Sequence, residues 1–329
     1  MTFEAHATMR ADRLVADLLK IGRNEANELI KNGAVFFDGT AIKKPSAIVE
    51  AGGKVFVAPT RKEAEQRRKQ VDFDVDILYE DGDLLVINKP RGVVVHGAPS
   101  VKSATLVDWL KAKGVVLSNI SGEDRMGIVH RIDKETTGAL LIAKNNDAHR
   151  ELSRQLEKRE MGRYYIAAID RRLKNDIIVD KPIARHRTIR VKMTTSKVGR
   201  EAKSAFIHLA DLSAGRSLIA CKLFSGRTHQ IRAHLQSIGA HIIGDSLYGY
   251  NSSSDGGILP IFLHAYLLYF RRPKSGEAMR VKAPLTASFD ELLRELGEKK
   301  DEILEVERVE RGFDILCGLR NAAKGAGGT

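Results

Sequence analysis

The sequence predicts an α+β protein in two parts, and three observations support this. Two amphipathic helical segments and two short β-rich pieces fill the first 58 residues. A charged stretch nearly free of apolar side chains follows. Beyond it, strand-forming runs at 84–87, 139–143, 163–169 and 217–223 are interspersed with helical patterns at 105–113 and 147–160. A length of 329 residues suits two or three domains, one of them large enough for a substantial core. The expected division is a module at 10–58, a linker at 59–71, a body at 72–285 and a helical tail at 286–329 whose Gly/Ala-rich end is disordered.

The module reads from its apolar spacing. Leu14, Val15, Leu18 and Leu19 mark a first helix, which Gly22 breaks. Ala26, Leu29 and Ile30 mark a second, closed by Asn32-Gly33, a C-terminal glycine signal. The β-rich pieces at 34–37 and 54–57 have an Asp38-Gly39 turn between them. In the body, Trp109 within the 105–113 helix reads as core. In the tail, 289–311 reads as one acidic-basic helix.

Composition narrows the function. Hydrophobic residues make up 43% and charged residues 29%, as in a globular protein, and no run approaches the ~18 apolar residues of a membrane span. Residues 1–10 contain no apolar signal segment. Two distant cysteines, Cys221 and Cys317, fit a reducing cytoplasm better than a disulfide framework or a zinc site. The net charge is +12. Residues 1–70 carry +4 of it and residues 286–329 carry −3, so the body holds +11. That excess points to a polyanionic partner. HExxH, GxxxxGK[ST] and GxGxxG are all absent, and His229 and His234 stand five apart rather than four, so neither a metal nor a nucleotide is expected.

The most informative segment is His130-Arg131-Ile132-Asp133-Lys134-Glu135-Thr136-Thr137-Gly138. It sets one carboxylate between two cations and then enters an apolar strand. Nearby positive charge favours the charged form of a carboxylate, and a positioned carboxylate serves covalent or acid-base chemistry at a sugar carbon. Taken alone, the segment could equally be a surface charge cluster.

Its context identifies it. The segment resembles the HRLDxxTSG motif of the Rlu-type pseudouridine synthases, with Ile132 for Leu and Thr137 for Ser. Asn88-Lys89-Pro90-Arg91-Gly92 through His96 resembles that family's NKPxGxxVH string. Arg163-Tyr164-Tyr165-Ile166-Ala167 resembles KxYxA, and 199–206 resembles GKxAxTxF. Gly226-Arg227-Thr228-His229-Gln230-Ile231-Arg232-Ala233-His234-Leu235 resembles GRTHQIRxHL. Residues 243–249 resemble IxGDxxYG, and 263–265 the LHA element. The His ahead of Arg-x-Asp favours this branch over the small-subunit synthases. Residues 10–58, through Arg13-Leu14, Arg23, Ala26, Leu29-Ile30, Gly33, Val35, Gly39, Lys44-Pro45-Ser46 and Gly52-Gly53, are similar to the S-four-type RNA-binding domain, with Gly22 where that family usually has Ser.

The resemblance implies a largely antiparallel mixed sheet with flanking helices around a basic cleft, and an enzyme that isomerises uridine in RNA, most often large-subunit ribosomal RNA. Asp133 is implied as the catalytic carboxylate, Arg227 as the cation paired with it, and Tyr165 as the active-site aromatic. On strand alternation Tyr164 then faces away. Arg23, Lys31, Lys43 and Lys44 of the module are expected phosphate contacts. Lys89, Arg131, Lys134, His229 and Arg232 are expected to contact RNA along the cleft. The isomerisation passes no electrons to or from the system, so no redox cofactor is expected; a monomer with RNA as partner is. The rival expectations are a non-catalytic RNA-binding or ribosome-assembly factor, and a synthase acting on transfer RNA.

Overall fold

The computed structural model describes residues 2–58, 71–98, 101–251 and 259–318. The chain divides into two compact units between Gln70 and Val71. The expected linker lies outside the described residues except for Val71, as does the Gly/Ala-rich end of the tail.

In the first unit, helices α1 (Ala11–Leu19) and α2 (Arg23–Lys31) pack over a small sheet. The sheet contains β1 (Thr2–Glu4), β3 (Val35–Phe37), β4 (Thr40–Ala41) and β6 (Lys54–Val57), ordered β1-β6-β3-β4. Strands β2 (Met9–Arg10) and β5 (Ile48–Val49) pair separately. The module therefore begins ahead of residue 10: β1 supplies an edge strand, and Ala5 is buried in the module core. The Asp38-Gly39 turn, with φ of 45° and 81°, joins β3 to β4 rather than to β6, as a two-residue hairpin turn with left-handed backbone does.

The body is built on a nine-stranded sheet. It comprises β7 (Asp76–Glu80), β8 (Leu84–Lys89), β9 (Thr137–Ala143), β10 (Gly162–Ile169), β11 (Ile177–Asp180), β14 (Lys203–Leu212), β15 (Arg216–Leu223), β16 (Leu263–Arg271) and β17 (Ala278–Lys282). The order is β11-β14-β15-β10-β16-β9-β8-β7, with β17 also on β16. A two-stranded ribbon, β12 (Ile183–Arg185) and β13 (Met193–Thr195), stands apart. Every contact in the large sheet is antiparallel except β16 with β9, so the fold is α+β with a mixed, largely antiparallel sheet. Strands β8, β9 and β10 carry long apolar runs, Leu84 to Ile87, Ala139 to Ala143 and Ile166 to Ile169, because both faces are covered.

Helix α3 (Leu106–Ala112) opens on a capping box between Thr105 and Asp108, and Trp109 is core. Helix α4 (Asn146–Glu157), capped by Asn145, stops short of residue 160; Arg159 already has a left-handed φ of 60°. The expected single helix over 289–311 is instead three: α6 (Ala287–Leu292), α7 (Lys299–Ile303) and α8 (Val306–Leu316), interrupted at Gly297, whose φ is 55°. These helices are not set apart from the body. Leu293, Val309 and Phe313 are fully buried in the sheet's core, and Phe313 packs on Tyr164 with ring centres 5.6 Å apart.

Candidate active site

Asp133 sits in the loop that enters β9, and three sets of contacts hold that loop. Lys89, at the end of β8, is fully buried, and its Nζ donates to the carbonyls of Pro90, Val93 and Lys134 at 2.8, 2.9 and 3.1 Å. Burial pushes Lys89 down to about 7, opposed by the charges of Asp133 and Glu135. Lys89 therefore fastens the backbone beside Asp133 and is not the surface contact for RNA that sequence reasoning expected; burial and three carbonyl acceptors consume its ammonium group. Second, the parallel contact pairs Thr137 with His264 and Gly138 with Ala265, and Thr137 Oγ1 is 2.7 Å from His264 Nδ1. Gly138 has φ of 108°, and a β-carbon there would lie 2.3 Å from the Ala265 carbonyl oxygen, so only glycine lets the strands approach.

Third, His130 Nε2 accepts the Leu141 N–H at 3.1 Å, which requires a neutral ring. Burial, with Arg163 adding to it, pushes His130 down to about 3. The folded protein thus keeps His130 neutral where an unfolded chain protonates it near 6.5. The unfolded state binds the extra proton, so stability falls as pH drops below about 6.5, by ~3 kcal/mol from this group between pH 7 and 4.5. His130→Gln is expected to flatten that acid limb in urea titrations at the two pH values. An unchanged limb refutes the assignment.

The carboxylate faces helix α5 (Gln230–Gln236). Buried Gln230 fixes the turn before this helix: its Oε1 accepts the Ser225 hydroxyl and the Arg227 N–H, and its Nε2 donates to Lys203 O and Ser204 Oγ. One Asp133 oxygen lies 3.6 Å from Arg232 Nη1 and 3.9 Å from His229 Nε2. Arg232 is 7% exposed and forms a two-pronged pair with fully buried Asp245, both contacts at 2.7 Å. The Tyr248 ring lies 4.7 Å from its guanidinium carbon, and the Tyr248 hydroxyl is 3.0 Å from His229 Nδ1. Burial lowers the pKa of His229.

The cation beside Asp133 is therefore Arg232, not Arg227. Arg227 lines the same pocket, but its Nε donates to the Glu201 carbonyl at 3.0 Å; it precedes the helix, whereas Arg232 lies on the turn that faces the carboxylate. The flanking cations do not pair with Asp133 either: Lys134 is exposed, and Arg131 Nη1 is 3.2 Å from His96 Nε2. Tyr165 is buried and lines the pocket with Asp133, while Tyr164 faces Phe313 across the strand. Burial pushes the Tyr165 phenol up to about 12, so it is protonated at neutral pH.

In the small unit, Lys31, Lys43 and Lys44 are exposed. Arg23 is half-exposed but shares buried Asp12 with Arg10, at 3.0 and 2.9 Å. These guanidinium groups hold Asp12 well below the usual carboxylate range. Asp245 and Tyr248 had no site role in the sequence reading, although the IxGDxxYG match carried them. Arg125, Arg159, Arg163 and Arg200 beside the pocket belonged to no expected site. Among the described residues no helix is long and apolar enough to cross a membrane, and no cluster of three or more His, Cys, Asp or Glu could hold a metal.

The family model for RNA pseudouridylate synthase matches residues 83–237, and that for the S4 domain matches residues 9–55. An RNA pseudouridine synthase of Helicobacter pylori is 41% identical over 92% of this chain and 95% of its own length. Ribosomal large subunit pseudouridine synthase D of Vibrio vulnificus is 35% identical over 89% and 92%. The solved human RNA pseudouridylate synthase domain containing 4 shares the fold, with a TM-score of 0.53 and 24% identity over 67% of this chain and 92% of that one. With likeness of this extent running through both the Asp133 loop and the Arg232 helix, the protein belongs to the RNA pseudouridine synthase family.

Proposed function

We propose that this enzyme isomerises uridines in large-subunit ribosomal RNA, with Asp133 as the carboxylate that works on the ribose. One observation carries the reading: the Asp133 carboxylate shares a pocket with buried Tyr165 while facing Arg232 and His229. The target base leaves its stack, at a cost of a few kcal/mol. The bond from ring nitrogen 1 to the anomeric carbon breaks, and the bond from ring carbon 5 to the same carbon forms. Carbon 5 loses a proton and nitrogen 1 gains one, so atoms and electrons balance without an oxidant. Asp133 acts on the sugar, by attack at the anomeric carbon or by removal of a neighbouring proton; both begin from the same placement. Arg232, held by Asp245, orients it. Tyr165, as a neutral phenol, supports the detached base.

Lys31, Lys43 and Lys44 on the small unit add phosphate contacts outside the pocket. Relatives named for the large ribosomal subunit align over nearly all of the chain, and this favours ribosomal over transfer RNA. The reading makes RNA the partner of a cytoplasmic monomer. The test is to incubate the full chain with a large-subunit rRNA transcript and with bulk transfer RNA, then map pseudouridine by carbodiimide modification and primer extension. Discrete positions in the large-subunit transcript alone are expected. Product in neither RNA sinks the reading, and product in transfer RNA alone sinks its substrate half.

A further inference from the structure

A second groove adjoins the Asp133 pocket and shares Arg131, Arg163, Gly226 and Arg227 with it. Its volume is about 620 Å³, within the range that holds a nucleotide-sized group. Six guanidinium groups line it, those of Arg125, Arg131, Arg159, Arg163, Arg200 and Arg227, against the single carboxylate of Glu157. Among the described residues none of the six forms an ion pair with a carboxylate, whereas Arg232, a short distance away, forms two. Arg163 is the most telling. It rises from β10 two residues before Tyr165, is 8% exposed, and its Nε has no hydrogen-bond partner. Its guanidinium packs so closely on Gly226 that a β-carbon there would lie 2.7 Å from Nη1. A desolvated cation without an acceptor is costly, and so is a cluster of like charges. Both costs are met once an anion occupies the space. Planar guanidinium groups engage phosphate oxygens two at a time, and one phosphate cannot satisfy six of them.

We propose that this groove is a phosphodiester subsite: it seats successive backbone phosphates of the RNA strand on one side of the nucleotide whose base enters the Asp133 pocket, with Arg163 bridging the two. The assignment rests on the uridine-isomerase reading of that pocket. The rim residues Arg125, Arg159 and Arg200 are exposed and set the affinity; Arg163 sits at the join.

The test uses the full chain and a large-subunit rRNA transcript, with filter retention measured across a KCl series. Arg125→Gln/Arg159→Gln/Arg200→Gln is expected to bind ~10- to 100-fold more weakly at moderate salt and to flatten the log–log salt dependence by about two to three, near one for each phosphate that is no longer neutralised. The single variant Arg200→Gln should flatten it by about one, which keeps the test alive if the triple variant misfolds. Lys274→Gln, on an exposed lysine outside the groove, should leave the slope unchanged. Wild-type affinity and slope in the groove variants overturn the proposal, as does equal flattening in the Lys274 control. Retention does not depend on product. A wild-type protein that makes no pseudouridine while the groove variants lose slope would sink the function and leave the subsite standing.

Discussion

Asp133→Asn is expected to abolish uridine isomerisation, lowering the single-turnover rate by at least ~10⁴-fold, while RNA affinity changes less than about threefold. The substitution keeps the size and most of the shape of the side chain and removes the charge and basicity that the chemistry at the ribose requires. Arg232 and His229 stand 3.6 and 3.9 Å away, beyond direct hydrogen bonds, so the amide takes no essential bond from them. The fold should not notice, because the loop is fastened through Lys89, Gly138 and His130 rather than through the carboxylate. Release of tritium from carbon 5 of labelled uridine measures the rate, and filter retention measures affinity. A variant that turns over within tenfold of wild type refutes the role given to Asp133.

The second large effect falls on Arg232. Arg232→Met is expected to eliminate activity and to cost about 3–5 kcal/mol of stability in the body, the usual penalty for leaving one partner of a buried ion pair alone. Asp245 is fully buried and takes both prongs of the guanidinium, so its charge would be stranded. Adding Asp245→Asn to Arg232→Met should return much of the stability, because the pair is then removed together. It should return no activity, because Asp133 still lacks its orienting cation. Urea titration read by tryptophan fluorescence at Trp109, together with the tritium assay, separates the two effects. Stability unchanged in the single variant, or activity recovered in the double, refutes the arrangement.

Much of this architecture was legible because its signals are local. Helices α1 to α4 follow from helical patterning, with Asn32-Gly33 closing α2, and β8, β9, β10 and β15 from apolar runs. The Asp133 loop and the turn before α5 each stand as one continuous motif, so their membership in one site could be read without coordinates. Which arginine of Gly226–Arg232 reaches the carboxylate could not. That depends on where the helix starts, and buried Gln230 settles it through four hydrogen bonds, two of them to Lys203 and Ser204, distant in sequence. Lys89 read as an RNA contact because charge suggests surface, and only the carbonyls of Pro90, Val93 and Lys134 explain its burial. The groove could not be read because Arg125, Arg159, Arg163 and Arg200 are scattered along the chain, and the motif matches that hold Arg163 and Arg200 gave neither a site role. The tail misled for a similar reason: Gly297 divides it, and its apolar residues find their partners on the sheet.

The parallel contact between β9 and β16 has a consequence for how the molecule comes into being. The wall against which Gly138 rests is made by Leu263–Arg271, synthesised after both signature motifs have emerged. Neighbouring hairpins can zip early, but this junction closes a loop of more than a hundred residues and is slow for that reason. A nascent chain halted before Leu263 therefore carries Tyr165, Asp133 and Arg232 but not yet the strand that seats the Asp133 loop.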